Sequence, residues 1–191
     1  MSSLERTFFA QDVHAIARDL VGSTLLVDGV GGVIVETEAY ARDDPASHSY
    51  RGRTRRNAAM FGPAGTLYVY RSYGMHWCAN VVCGADGIGE AVLLRALEPT
   101  HGLDQMRGRR HLDDMRLLCS GPGRLTQALG ISGAHDGLPL DRLPFELAGV
   151  EGPVDVVVSP RVGISQAIDL SWRYSLRSSP YVSRPRPRAE P

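Results

Sequence analysis

Apolar positions recur at two different periods along this chain. Val13, Ile16, Ala17, Leu20 and Val21 follow the i, i+3, i+4, i+7, i+8 spacing of an amphipathic helix, with Asp12 placed to start it and Gly22 to end it. Strand patterning follows at once. Thr24 to Val27 and Gly32 to Glu38 read as a hairpin about Asp28-Gly29. Thr66 to Tyr73 and His76 to Cys83 read as a second hairpin, with Tyr73-Gly74-Met75-His76 at its turn. Ala91 to Leu97 is a third apolar run, interrupted by Arg95. Residues 103–119 fit one helix, and Gly121 to Leu129 another with Ser120 as cap and Pro122 in its first turn. Phe145 to Leu147 and Val154 to Val158 read as closing strands. Residues 41–65 are polar, rich in arginine and punctuated by Pro45, Gly52, Gly62, Pro63 and Gly65, which marks a long functional loop. Strands come first and most helices after them, so the pattern predicts an α+β domain. No repeat or linker divides it. The tail from Arg184 alternates arginine and proline and is expected to be disordered.

Length and composition sharpen this picture. The 191 residues suit one domain with a substantial core. Lys+Arg and Asp+Glu both number 21, yet no lysine is present, so every fixed basic group is an arginine. A Walker-type phosphate loop and a Schiff-base lysine are thereby excluded. What remains is a set of planar, bidentate cations suited to phosphate and carboxylate, or a plain codon bias toward arginine. Cys78, Cys83 and Cys119 are odd in number and lack C-x-x-C spacing. Buried thiols are expected rather than disulfides or structural zinc. The first residues carry no signal-peptide core, and no apolar stretch reaches membrane-span length. A soluble cytoplasmic protein, acting as a monomer, is the expectation. The arginines fall in local clusters: Arg51, Arg53, Arg55 and Arg56; Arg107, Arg109 and Arg110; and Arg184, Arg186 and Arg188. Each is a candidate phosphate patch or simply a solvated face.

Four features could carry chemistry. Glu36 and Glu38 share one face of an otherwise apolar strand that then delivers Tyr40. This is either a general base brought into a pocket or a surface strand end. His48 in the polar loop is either solvated or a metal ligand with the two glutamates, although no compact ligand motif accompanies it. Tyr68, Tyr70 and Tyr73 crowd one hairpin. Core packing would account for the first two, whereas a tyrosine and Met75 at a hairpin tip resemble a minor-groove wedge. Arg95 and Asn80 sit inside apolar runs. A charge there needs an acid or a bound phosphate as partner.

Taken together, these residues carry a family resemblance. Glu36-Thr37-Glu38-Ala39-Tyr40, Ala46-Ser47-His48-Ser49, Arg56-Asn57, Met60-Phe61 and Gly65-Thr66-Leu67-Tyr68-Val69-Tyr70 resemble the alkyladenine (3-methyladenine) DNA glycosylases. So do Tyr73-Gly74-Met75, Asn80, Leu93 to Pro99, Ser120 to Leu125 and Arg161-Val162-Gly163-Ile164. The likeness runs from residue 12 to about residue 183. It implies one glycosylase domain over residues 1–183, with residues 184–191 as a tail. It also implies a curved, mostly antiparallel sheet, a protruding hairpin and no cofactor or metal. The implied activity is monofunctional: alkylated purines are flipped out of double-stranded DNA and their N-glycosidic bond is hydrolysed.

By motif position, the resemblance makes Glu38 the base for the attacking water. Tyr40, His48, Tyr70 and Ala46 would line the base pocket, and Asn80 would reject guanine through its exocyclic amine. Tyr73 would be the wedge with Met75 beside it, and Arg95 would hold the flipped nucleotide's phosphate. Arg124 and Arg56 are further DNA contacts on this reading. Three departures stand out: Arg55 replaces the proline of a Thr-Pro-Arg-Asn motif, the link from Glu38 to His48 is one residue shorter than in vertebrate relatives, and His76-Trp77 has a bacterial look. The rival readings are a non-catalytic binder of distorted nucleic acid and a metal-dependent hydrolase built on Glu36, Glu38 and His48.

Overall fold

A computed structural model describes residues 4–186. The expectation that the tail is disordered therefore falls, for residues 187–191, outside the described residues. The element order is α1 (Val13–Asp19), β1 (Thr24–Val27), β2 (Val30–Tyr40), β3 (Leu67–Ser72), β4 (His76–Cys83), β5 (Glu90–His101), α2 (Leu103–Arg110), α3 (Met115–Leu118), α4 (Pro122–Leu129), β6 (Phe145–Ala148), β7 (Val156–Ser159) and β8 (Arg173–Leu176). Single 3-10 turns cover Arg6–Ala10, Ala58–Phe61 and Gly133–His135.

β2 organises everything else. One of its edges pairs with β5 along nearly its whole length. Its other edge pairs first with β1, at Val30 to Val33, and then with β8, at Glu36 to Glu38. The order across the sheet is β3-β4-β5-β2-β1-β6, with β7 attached through β8, and every pairing is antiparallel. The β2–β5 ladder shifts register between Ile34 and Glu36 and again between Glu36 and Thr37. Such bulges add local twist, and the sheet curls into a half-barrel. Gly32 is demanded by close approach, since a Cβ there would lie 1.9 Å from the carbonyl oxygen of Glu98.

Helix α1 closes one face. Asp12 caps it, its Oδ1 accepting from the N–H groups of His14 (2.9 Å) and Ala15 (3.1 Å). Val13, Ile16, Ala17, Leu20 and Val21 are all buried, as their spacing requires. The Thr37 hydroxyl donates to the Ala17 carbonyl at 2.6 Å and ties the helix to β2. Ile34, Leu67, Leu94, Leu97 and Leu125 join this core. All three cysteines are buried and reduced. Among the described residues, no helix is long and apolar enough to cross a membrane.

The expected α+β class holds, and so do the helix at residue 13 and both hairpins. The strands read at Ala91 to Leu97 and Val154 to Val158 run over Glu90–His101 and Val156–Ser159, and three further features differ from the pattern. Residues 103–119 form two helices, because His111 takes a left-handed conformation (φ 50°) that ends α2, and Asp114 caps α3 by accepting from the Arg116 N–H. Gly121, not Ser120, caps α4; its φ of 136° suits only glycine, and Ser120 is instead bridged to Ala96 in β5. Strand β8 was not expected at all, because Arg-Tyr-Ser-Leu shows too little apolar alternation. The Arg107, Arg109 and Arg110 cluster is largely structural: Arg109 donates to the Ala128 carbonyl, and Arg110 to the Leu118 carbonyl and Gln127.

Candidate active site

A cavity of about 530 Å³ is lined by residues of β2, β3, β4 and β5 and of the loops around His48 and Val162. Tyr40 at the end of β2, Pro45, Ala46 and His48 from the 41–57 loop, and Tyr70 from β3 form an aromatic slot. The His48 and Tyr70 rings meet edge to face with centroids 4.4 Å apart. His48 Nδ1 shares a hydrogen bond of 2.9 Å with the Tyr68 hydroxyl, which fixes the ring. Burial, and then the positive charge of Arg56, hold the His48 pKa below its ordinary value, so the imidazole is neutral at pH 7. Asn80 lines the slot, and its Nδ2 donates to the Tyr68 carbonyl at 3.1 Å.

Glu38 lies directly behind this wall and is fully buried. Its Oε1 accepts from the Val162 N–H at 2.8 Å and faces Arg95 Nη1 at 3.3 Å. Its Oε2 accepts from the Tyr40 hydroxyl at 2.9 Å. All three partners line the cavity. Two hydrogen bonds and one ion pair thus hold a carboxylate that offers about four acceptor positions. Burial pushes the Glu38 pKa above the usual carboxylate range, against the pull of Arg95, the Val162 N–H and Tyr40. Burial and the Glu38 charge likewise push the Tyr40 phenol far up, so it remains a donor.

Arg95 lies on β5 and is only 6% exposed. Besides Glu38, its Nε donates to Glu36 Oε1 (3.3 Å), its Nη1 to the Val162 carbonyl (3.3 Å) and its Nη2 to the Ser183 hydroxyl (3.3 Å). The alternative left open for this charge, acid or phosphate, is thus met by acids within the chain. Burial alone would lower the Arg95 pKa, but Glu38 and Glu36 outweigh it and raise it. Glu36 is also fully buried; its Oε1 accepts from Arg173 Nε at 2.5 Å and its Oε2 from the Ser183 N–H at 2.7 Å. The two glutamates do share a face, but neither is a surface strand end. Their carboxylates and His48 do not form a ligand set, and no group of three His, Cys, Asp or Glu among the described residues is placed to hold a metal ion.

The β3–β4 hairpin forms the rim. Tyr73 (φ 49°) and Gly74 (φ 70°) are the central residues of a turn closed by the Met75 N–H on the Ser72 carbonyl at 3.1 Å. Two positive φ values match the twist of a hairpin but are costly for tyrosine, and such outliers cluster at functional sites. Tyr73 is 89% exposed and Met75 69% exposed. Tyr73 stands on the cavity rim, and Met75 is not among the lining residues. Arg56 and Arg71 complete the mouth, with Arg56 Nη2 donating to the Arg71 carbonyl at 3.3 Å. Arg51, Arg53 and Arg55 are exposed beside it. Arg124, exposed on α4, donates to the hydroxyl of Ser120 at 3.2 Å and lies outside the cavity wall.

Two partnerships escaped the sequence reading. Arg161 is buried and bonded to Asp44 through both of its terminal nitrogens. Arg173 and Ser183 converge on Glu36. The only available signal was Arg161-Val162-Gly163-Ile164 among the motifs, and it names no partner.

Fold and site together define a class: a curled antiparallel sheet carrying a cavity walled by aromatic side chains, with a buried carboxylate beside it and an exposed tyrosine at its rim. The family profile for methylpurine-DNA glycosylase (MPG) matches residues 7–180. A Rhodopseudomonas palustris (strain HaA2) protein named "Putative 3-methyladenine DNA glycosylase" is 62% identical over 182 residues, covering 95% of this chain and 90% of the relative. Relatives of the same name from Bradyrhizobium diazoefficiens and Agrobacterium fabrum are 56% and 53% identical, over 97% and 94% of this chain and 92% and 91% of their own length. The chain belongs to the methylpurine-DNA glycosylase family.

Proposed function

We propose that this protein is a monofunctional DNA repair glycosylase that removes alkylated purines, 3-methyladenine among them, from double-stranded DNA. The observation that carries this reading is the triply held Glu38 carboxylate behind an aromatic slot. A purine cannot be attacked at its sugar while stacked in the duplex, so the nucleotide must be extruded at a cost of a few kcal/mol. Tyr73, exposed at the hairpin tip, fills the vacancy, and Met75 supports it against the neighbouring bases.

N-alkylation places positive charge on the purine, and the faces of Tyr40, His48 and Tyr70 favour a flat cation over a neutral base. Tyr40 and Ala46 bound the slot, and Asn80, which lines the same cavity, rejects guanine on this reading through a clash with its exocyclic amine. On this reading a water activated by Glu38 attacks C1′. The new C1′–O bond forms, the C1′–N bond breaks with its electron pair leaving on the purine, and the water proton passes to the carboxylate. A cationic purine leaves readily, so one base suffices. The ion pairs of Arg95 assign it first to holding Glu38. Phosphate neutralisation falls to the exposed Arg56 and Arg124 and to the 51–55 cluster. The enzyme acts as a monomer in the bacterial cytoplasm, on the nucleoid.

The test is a product-release panel on duplexes carrying 3-methyladenine, hypoxanthine or ethenoadenine. Release of free 3-methyladenine is the expected result. Tight binding without release from any of the three would convert the protein into a damage-binding module.

A further inference from the structure

We propose that Arg161 and Asp44 are a positioning pair for base excision: together they hold the Val162 N–H and the Tyr40 ring at the angles from which both address Glu38. The inference rests on the excision reading above and adds two residues that lie outside the cavity wall.

Three distant segments meet at this pair. Both side chains are fully buried. Arg161 Nη1 donates to Asp44 Oδ2 and to the Ala39 carbonyl (3.0 Å), and its Nη2 donates to Asp44 Oδ1 at 2.9 Å. The guanidinium carbon sits 4.7 Å from the centroid of the Tyr40 ring and 4.9 Å from that of Trp172, so the cation is held between two aromatic faces. Ala39 lies between Glu38 and Tyr40 in β2. Val162 follows Arg161 directly, so fixing the arginine backbone fixes the amide that donates to Glu38. Asp44 Oδ1 also accepts from the Ala46 N–H at 3.0 Å and so anchors the loop bearing Pro45 and Ala46.

Stability alone is a poor explanation for such a pair. A buried ion pair can often be replaced by packed apolar groups at no net cost, because desolvation cancels the attraction. What an apolar replacement could not do is aim a planar, bidentate fork at three segments at once.

The charged and titratable groups facing Glu38 are Glu36 and Tyr40 from β2, Arg95 from β5, Arg173 from β8 acting through Glu36, and Tyr70 from β3. The Val162 N–H and the Tyr40 hydroxyl favour the anion of Glu38, whereas burial and Glu36 oppose it. Loss of aim in the first two therefore makes Glu38 hold its proton to higher pH.

The test uses full-length Asp44→Asn and Arg161→Lys. Single-turnover release of 3-methyladenine is followed across pH, together with affinity for an uncleavable abasic-analogue duplex. Slower release, on the order of 10–100-fold at neutral pH, is expected from misplacement of about 1 Å or less. The acid limb of the profile should move to higher pH while abasic-analogue affinity stays unchanged. A rate that falls only with the folded fraction, its acid limb in place, would overturn the inference. Should neither variant fold, Trp172→Leu removes one aromatic face and leaves the ion pair. It should move the limb in the same direction by less, and an unmoved limb there is equally decisive. A wild-type chain that releases nothing would instead refute the excision reading, and this inference with it. An active wild type with unshifted variants refutes the positioning pair alone.

Discussion

The hydroxyl of Tyr40 donates to Oε2 of Glu38 at 2.9 Å, so two side chains delivered by one face of one strand hold each other in place. The phenol keeps its own proton and stays a donor, since its pKa is pushed upward by burial and by the Glu38 charge. Its effect is orientation. Glu38→Gln keeps the shape and the acceptor oxygen but removes the proton acceptor. Release of 3-methyladenine should fall by about 10²–10⁴-fold, the usual contribution of a general base, while lesion affinity persists. Single-turnover kinetics beside a binding titration checks this, and full activity in the variant would remove Glu38 from the mechanism.

The acid side of the pH profile follows from the same residue. Glu38 ionises above the ordinary carboxylate value of 4.5, and only the ionised form accepts a proton from water. The rate should therefore rise with pH through a midpoint higher than 4.5. The sign for stability is opposite. A carboxyl whose pKa is raised by folding contributes most below its unfolded value, and that contribution is lost as pH climbs through the folded one. Lowering pH should thus cost activity without cost from this group to the fold. A rate indifferent to pH across the acid range would contradict the assignment.

Tyr73 offers a cleaner separation of binding from folding. It is 89% exposed, so Tyr73→Ser should leave urea unfolding within about 0.5 kcal/mol of wild type. Loss of its stacking should weaken binding to an abasic-analogue duplex by about 1–3 kcal/mol. Equal affinity for wild type and variant would deny Tyr73 the role of wedge.

Glu36 makes the opposite case, a fully buried charge held by Arg173, Ser183 and Arg95 and absent from the cavity wall. Arg173→Met leaves it with Arg95 and Ser183 alone, and removal of one partner from a buried pair costs about 3–5 kcal/mol. A matching drop in unfolding free energy is expected. Adding Glu36→Leu to that variant should recover part of the loss, since residues in one network are not additive. Simple additivity would show that the two side chains do not act together.

The absence of lysine bears on the product. With no lysine amine to form a Schiff base, the abasic strand should remain full length on a denaturing gel until alkali is added. Strand cleavage coincident with base release would require a nucleophile not assigned above. Release should also continue in EDTA, because the carboxylates of Glu36 and Glu38 are occupied by Arg95, Arg173, Tyr40 and the Val162 and Ser183 amides.

Local patterns carried most of the fold. The period of α1 and the alternation in β1 to β4 are properties of neighbouring residues, and the structure keeps them. The break at His111 was invisible because a left-handed residue in a polar run leaves no hydrophobic trace. Strand β8 was hidden because Arg173 is buried by its pairing with Glu36, a partner 137 positions away. The site divides in the same way. The motifs singled out Tyr40, His48, Tyr70 and Asn80, which line one cavity, and Glu38, whose burial outside the lining they did not show. Asp44 and Arg161 are 117 positions apart, and neither position shows any pattern that selects the other.

The ties between Glu36 and Ser183 span 147 residues. At a ribosomal pace of about 5–20 residues per second, roughly 7–30 s separate synthesis of the two partners. During that interval the carboxylate has been made but its partner amide has not. The cluster behind the aromatic slot therefore cannot close until Ser183 has been made, and a shorter nascent chain carries the tyrosines of the slot without that tie.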